Sequence, residues 1–158
     1  MQFEHLVEVN AGSGAPGVHL SRAQVWAGLV LRAEQPSLFQ MGVESTTILS
    51  RTAHHIEREI WLGKLRVHDH IWLEPESSIR FETTPSDLHQ GGTLTISIEA
   101  PTPEDLWLRF KYQTPMVDDT GSPEAVAPYL KSAYQAADVD TVRFIRAWIE
   151  RGMHDVLM

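Results

Sequence analysis

Six short segments follow one another between Val43 and Gln113 with only turn-length breaks: VESTTILS, HIEREIWL, LRVHDHIWL, SIRFET, TLTISIE and LWLRFKYQ. Each is rich in β-branched and aromatic residues, and turn residues separate them, which is the pattern of strands. Strands joined by short turns pair as an antiparallel meander. A seventh segment, FEHLVEVN, alternates in the same way near the start of the chain. A sheet of this size has an apolar face, and another layer must cover it.

The cover is read at the other end of the chain. Ser122-Pro123-Glu124 gives an N-cap, a first-position proline and a first-turn acid. Val126, Leu130, Ala133, Ala137, Thr141, Phe144, Ile145 and Trp148 then recur at helical spacing until Gly152. From Pro123 to Arg151 such a helix would be about 43 Å long, at 1.5 Å per residue. Pro128 is expected to loosen or kink its first two turns. Ala133, Ala136 and Ala137 make the middle of the stripe small, which against a curved sheet means either a pocket or close approach. A shorter helix precedes the six strands. Ser21 and Gln24 form its capping box, Leu20 is placed to staple Val25, and Val25, Trp26, Leu29 and Val30 form one face. Pro36 ends it, and SLFQMG reads as one further helical turn.

Composition removes several function classes. A chain of 158 residues fits one domain, spanning 1–158, with a sizeable core. Its formal charge of −8 and the lack of a basic stripe argue against a nucleic-acid partner. With no cysteine there is no disulfide, thiol nucleophile or cysteine zinc site. MQFEHLVEVN lacks the apolar core of a signal peptide, and no apolar run reaches the length of a membrane span, so a cytoplasmic address is expected. AGSGAPG lacks the Lys-Ser/Thr ending of a phosphate loop, and no G-x-S-x-G elbow occurs.

The chain resembles the START/SRPBCC superfamily, whose fold is the Bet v 1-like helix grip. LSRAQVWAGLVLRAEQPSLF, HIEREI and SAYQAADVDTVRFIRAWIERG are similar to its acetylaranotin-biosynthesis-protein-L-like branch, some members of which lie in secondary-metabolite gene clusters. The resemblance implies an α+β fold: a seven-stranded antiparallel sheet gripping the C-terminal helix around an apolar cavity, with two short helices between strands 1 and 2. It supplies no reaction.

The polar candidates follow from one hairpin. Gly63-Lys64 can form a two-residue turn with glycine where φ > 0 is needed. Leu62 then faces Leu65, Ile60 faces Val67, Arg58 faces Asp69 and Ile56 faces Ile71. This face is apolar apart from one ion pair. The other face pairs Trp61 with Arg66, Glu59 with His68, Glu57 with His70 and His55 with Trp72. A slip of one residue would scramble both. Two imidazoles and two carboxylates could bind zinc. Cross-strand Glu–His pairing on a wet surface is the simpler account, so no stoichiometric metal and no cofactor are expected.

Arg58 and Asp69 stand on the core-facing side, where an ion pair costs desolvation of both charges. They fit either a device of fold specificity or the polar anchor of a cavity, since ligand sites combine apolar walls with a few placed polar groups. Arg58 would meet a carboxylate, enolate or carbonyl oxygen, with Asp69 orienting it. Tyr112 shares the inward phase of Leu106, Leu108 and Phe110, Tyr134 neighbours the helix stripe, and His5 joins them if its strand points it inward. These residues support two functions: binding a small hydrophobic or aromatic ligand in an internal cavity, or a cyclase/aromatase-like enzyme acting on a polyketide-like substrate there. The shortage of interior groups able to move a proton favours binding. A homo-oligomer stays open.

Overall fold

A computed structural model of the chain describes residues 1–10, 17–115 and 127–152. Its elements run β1 (Gln2–Asn10), α1 (Arg22–Glu34), a 3-10 turn (Pro36–Leu38), β2 (Val43–Arg51), β3 (His55–Leu62), β4 (Leu65–Glu74), β5 (Ser78–Thr83), β6 (Gly92–Glu99), β7 (Leu106–Gln113) and α2 (Ala127–Glu150). The seven strands form one antiparallel sheet in the order β1-β7-β6-β5-β4-β3-β2. Six strands run consecutively across the sheet, and β1 closes the far edge against β7.

The register follows from turn chemistry and alternation. Gly63 has a φ of 61°, and the β3–β4 ladder runs from Leu62↔Leu65 to His55↔Trp72 with Arg58 opposite Asp69. Along β3, β4, β5 and β7, residues of one phase are buried and those of the other are more exposed. The buried phase forms a continuous core with α1 and α2, including Val25, Leu29, Ile56, Ile71, Ile79, Ile96, Leu108, Phe110, Ile145 and Trp148. Among the described residues, no helix is long and apolar enough to cross a membrane.

Local chemistry fixes the helices. Ser21 Oγ accepts the Gln24 N–H at 3.1 Å, and Gln24 Oε1 accepts the Ser21 N–H at 2.9 Å. Leu20 and Val25 are both fully enclosed beside this capping box. Asn10, at the end of β1, accepts the Leu20 N–H at 3.1 Å and donates to the Leu20 carbonyl at 2.7 Å, so the strand fixes where α1 begins. The turn expected from SLFQMG is a single 3-10 turn that starts at Pro36 itself. Gly152, with a φ of 69°, closes α2 through its N–H to the Ile149 carbonyl at 2.9 Å. The expected start of this helix at Ser122-Pro123-Glu124 lies outside the described residues. Pro128 is the second described residue of α2, so the turn that precedes it also lies outside the described residues.

One expectation for α2 is overturned. Ala133, Ala136 and Ala137 are exposed, while Tyr134 lies partly inside and Asp138 is completely buried. Thr141, Val142, Ile145, Trp148 and Ile149 anchor the helix by its C-terminal half. Continued back at i−3 and i−4 spacing, that face passes through Asp138 and Tyr134, not through the alanines. The inner surface of the helix is therefore polar and aromatic at this level, not small.

Candidate functional site

The inner face of the sheet, α1 and the N-terminal half of α2 form a partly open cavity of about 220 Å3. Arg32 from α1, Arg58 from β3, Asp69 from β4, Phe81 from β5, Tyr112 from β7 and Tyr134 from α2 line it. All four residues expected from the sequence at the cavity are thus brought together. The volume lies below the roughly 300–1,000 Å3 of a drug-sized ligand site. It suits one substituted ring, or the polar end of a longer molecule.

Arg58 and Asp69 pair across adjacent strands, and both are almost fully buried, at 4% and 3% exposure. Arg58 Nε donates to Asp69 Oδ2 at 2.9 Å, and the hydroxyl of Thr83 donates to Asp69 Oδ1 at 2.6 Å. The pair also reaches α1. Arg58 Nη1 donates to the carbonyl of Ala33 at 2.6 Å and to that of Arg32 at 3.4 Å. These carbonyls belong to the last turn of a helix, where acceptors lack intrahelical partners and a cation is favoured. Burial pulls the Arg58 guanidinium down from the ordinary arginine range, and Asp69 opposes that shift by charge and hydrogen bond. The group stays cationic. Arg58 is a clamp between sheet and helix, and most of its donor capacity is occupied.

Arg32, which no sequence pattern singles out, is different. Only 8% exposed, it lies with its guanidinium carbon 5.1 Å from the centre of the Phe81 ring, and Arg58 lies 5.3 Å from the same ring. Its Nε is buried with no hydrogen-bond partner among the described residues. Desolvation lowers its affinity for its proton, with Tyr112 and Asp138 pulling the other way. Near a helix end an arginine reads as a dipole-compensating surface cation. The signal for burial was phase: Arg32 follows Val25 by seven residues and Leu29 by three.

Asp138, the second residue missed, is completely buried. The Tyr112 hydroxyl donates to both of its oxygens at 2.8 Å, and His5 Nε2 bonds Oδ2 at 2.7 Å. His5 points inward from β1 and stacks with Phe3 and Phe110, while Tyr134 stacks on Tyr112 with ring centres 4.2 Å apart. Burial raises the Asp138 carboxyl above its usual range, against the hydrogen bonds from His5 and Tyr112 and the charge of Arg32. Burial, followed by the charge of Asp138, raises the Tyr112 phenol. A proton-bearing chain from His5 through Asp138 to Tyr112 therefore ends at the cavity wall.

On the other face of the β3–β4 hairpin, His68 and His70 are half-buried at the surface opposite Glu59 and Glu57. Arg66 takes Glu59 at 3.7 Å, and both imidazoles turn towards Glu57.

A seven-stranded antiparallel sheet packed on one long helix near the C-terminus is the Bet v 1-like helix-grip fold. Solved structures share it. The di-domain ARO/CYC StfQ from the steffimycin biosynthetic pathway aligns with a TM-score of 0.69 at 14% identity, over 96% of this chain and 52% of that one. This chain thus spans about half of StfQ. The Zhui aromatase/cyclase from Streptomyces sp. R1128 aligns with a TM-score of 0.60 at 16% identity, over 96% and 94% of the two chains. A START superfamily protein from Mycobacterium smegmatis gives 0.56 at 13% identity, over 95% and 97%. At such identities the likeness is one of fold. No curated protein matches the chain. The chain belongs to the acetylaranotin biosynthesis cluster protein L family, whose model matches residues 7–152.

Proposed function

We propose that this protein binds a small, mainly apolar or aromatic molecule carrying an anionic or carbonyl oxygen, held in the cavity between sheet and α2. The observation that carries the reading is Arg32, a pocket-lining guanidinium whose buried Nε has no partner among the described residues. A buried donor left unsatisfied costs free energy that a ligand oxygen would recover. Phe81, Tyr112 and Tyr134 supply aromatic walls, and the Arg58–Asp69–Thr83 network keeps the floor rigid. Arg58 thus supports the site more than it contacts the ligand. The test uses 2-naphthoate and its neutral isostere 2-naphthamide. Titration calorimetry should show Arg32→Met weakening naphthoate at least about tenfold, the loss expected when a hydrogen bond between two charged groups is removed, with naphthamide, whose carbonyl is an uncharged acceptor, weakened less. Equal losses for both probes would remove Arg32 as an anion anchor.

The second reading is a cyclase/aromatase-like enzyme acting on a polyketide-like substrate in the same cavity. The His5–Asp138–Tyr112 chain favours it, because it places a hydrogen-bonded phenol at the wall where a substrate oxygen would lie. Native mass spectrometry of protein purified from its own host separates the two. A retained molecule released unchanged after incubation supports binding. Release of that molecule less one water, abolished in Tyr112→Phe, supports the enzyme.

A further inference from the structure

On the solvent side of the β3–β4 hairpin, opposite the cavity, the side chains do not pair as simple cross-strand partners. Register sets His68 against Glu59 and His70 against Glu57. His68 instead reaches diagonally, placing Nε2 2.7 Å from Glu57 Oε2, and His70 Nε2 lies 3.7 Å from the same oxygen. Two imidazoles thus converge on one carboxylate, and one ligand atom from each of the three residues lies within 4.8 Å of the others.

The far sides of the rings are arranged as well. His68 Nδ1 lies 3.0 Å from the Thr84 hydroxyl, and His70 Nδ1 lies 2.9 Å from His55 Nε2. His55 is itself held between the His70 and Trp72 rings. A metal-binding imidazole donates its second ring N–H to a neighbouring acceptor, and that bond fixes both tautomer and aim. Here both Nδ1 atoms have such a neighbour and both Nε2 atoms are directed at the point Glu57 also faces. Ligand atoms of a tetrahedral zinc shell stand about 3.3 Å apart. The 2.7 Å and 3.7 Å separations bracket that value, so a small rotation of the Glu57 side chain opens the shell.

We propose that Glu57, His68 and His70 form a surface site for a divalent transition metal of the zinc type, with His55 and Thr84 as positioning residues and the fourth position left to water. Two imidazoles and one carboxylate select such a metal over magnesium or calcium, which favour shells made entirely of oxygen. The site does not depend on the cavity or its ligand.

The test uses the untagged full chain, stripped with chelator and dialysed. Cobalt(II) should produce a visible d–d absorption band that saturates at one equivalent and that Zn2+ displaces. His68→Ala and His70→Ala should each abolish it. His55→Ala should keep the stoichiometry and weaken binding about 10–100-fold, as loss of an outer-shell partner does. Glu59→Gln should change nothing, because Glu59 is engaged by Arg66. All of these residues lie on the solvent side, and far-UV circular dichroism checks that each variant is folded. A wild-type protein without a saturable band overturns the proposal, and so does a stoichiometric band that survives in the His68→Ala/His70→Ala double variant.

Discussion

Arg58 connects three things that would otherwise be separate: the Asp69 carboxylate, the last carbonyls of α1 and the face of Phe81. Replacing it with methionine leaves a carboxylate at 3% exposure with only Thr83 as a described partner. Such an uncompensated buried charge costs about 3–5 kcal/mol. Urea unfolding should show that loss in Arg58→Met and recovery of much of it in Arg58→Met/Asp69→Leu. A double variant no more stable than the single one would mean that the α1 carbonyls, not the carboxylate, are what require the arginine. Asp138 makes an opposite prediction in pH. Its folded pKa is raised by burial, so in the window between its unfolded and folded values the native state holds the extra proton. Stability contributed by this group is then present below the unfolded value and is lost as pH rises through the folded one. The wild-type unfolding free energy should fall across that window relative to Asp138→Asn, which cannot titrate. A difference that stays flat with pH would show that His5 and Tyr112 hold the carboxylate at its ordinary affinity.

At the scale of elements, α1 and α2 meet through Gly28. A Cβ there would stand 2.6 Å from Ile145 Cγ2, a distance no packed pair adopts, so the glycine is what lets α1 lie down on α2. Gly28→Ala should gain helix propensity yet lose about 1–3 kcal/mol to overpacking. Gly28→Ala/Ile145→Val should regain part of that loss, and thermal unfolding of the three variants measures it. The elements themselves were legible to different degrees. The bounds of β3, β5 and β7, and the β3–β4 register, could be read because alternation and a glycine turn over-determine a strand pair. The Arg58–Asp69 pair was visible for the same reason, being the only charges in an apolar phase. The rotation of α2 was not legible, because Asp138 is a charge on a buried face and the alanines beside it are apolar yet exposed. Hydropathy alone exchanges the two. Arg32 was hidden by the same logic, since a cation in the last turn of a helix has an ordinary surface explanation. Both missed residues touch the cavity or its hydrogen-bonded wall, where local rules are expected to fail.

The cavity draws its walls from α1, α2 and strands across the middle of the sheet, so a molecule bound there ties together elements that separate only when the whole domain unfolds. β2 is different. Among the described residues it is an edge strand paired with β3 alone, interrupted by two register shifts and with none of its residues fully buried. Its amides should open locally, at a free energy below that of global unfolding. These two facts separate cavity binding from surface binding. With 2-naphthoate at about 100 times its dissociation constant, the native state should gain about 2.7 kcal/mol, which for a chain of this size raises the melting temperature by ~5–11 °C. Hydrogen exchange of β4, β5, β7 and the C-terminal half of α2 should slow by the factor matching that gain, because those amides exchange through global opening. Exchange in β2 should not change. At the same ligand concentration Arg32→Met should cut the melting shift for naphthoate by about half or more and reduce that for naphthamide less. If slowing is instead confined to one short segment, with the core strands unaffected, the probe is bound at the surface, and the cavity does not carry the function proposed for it.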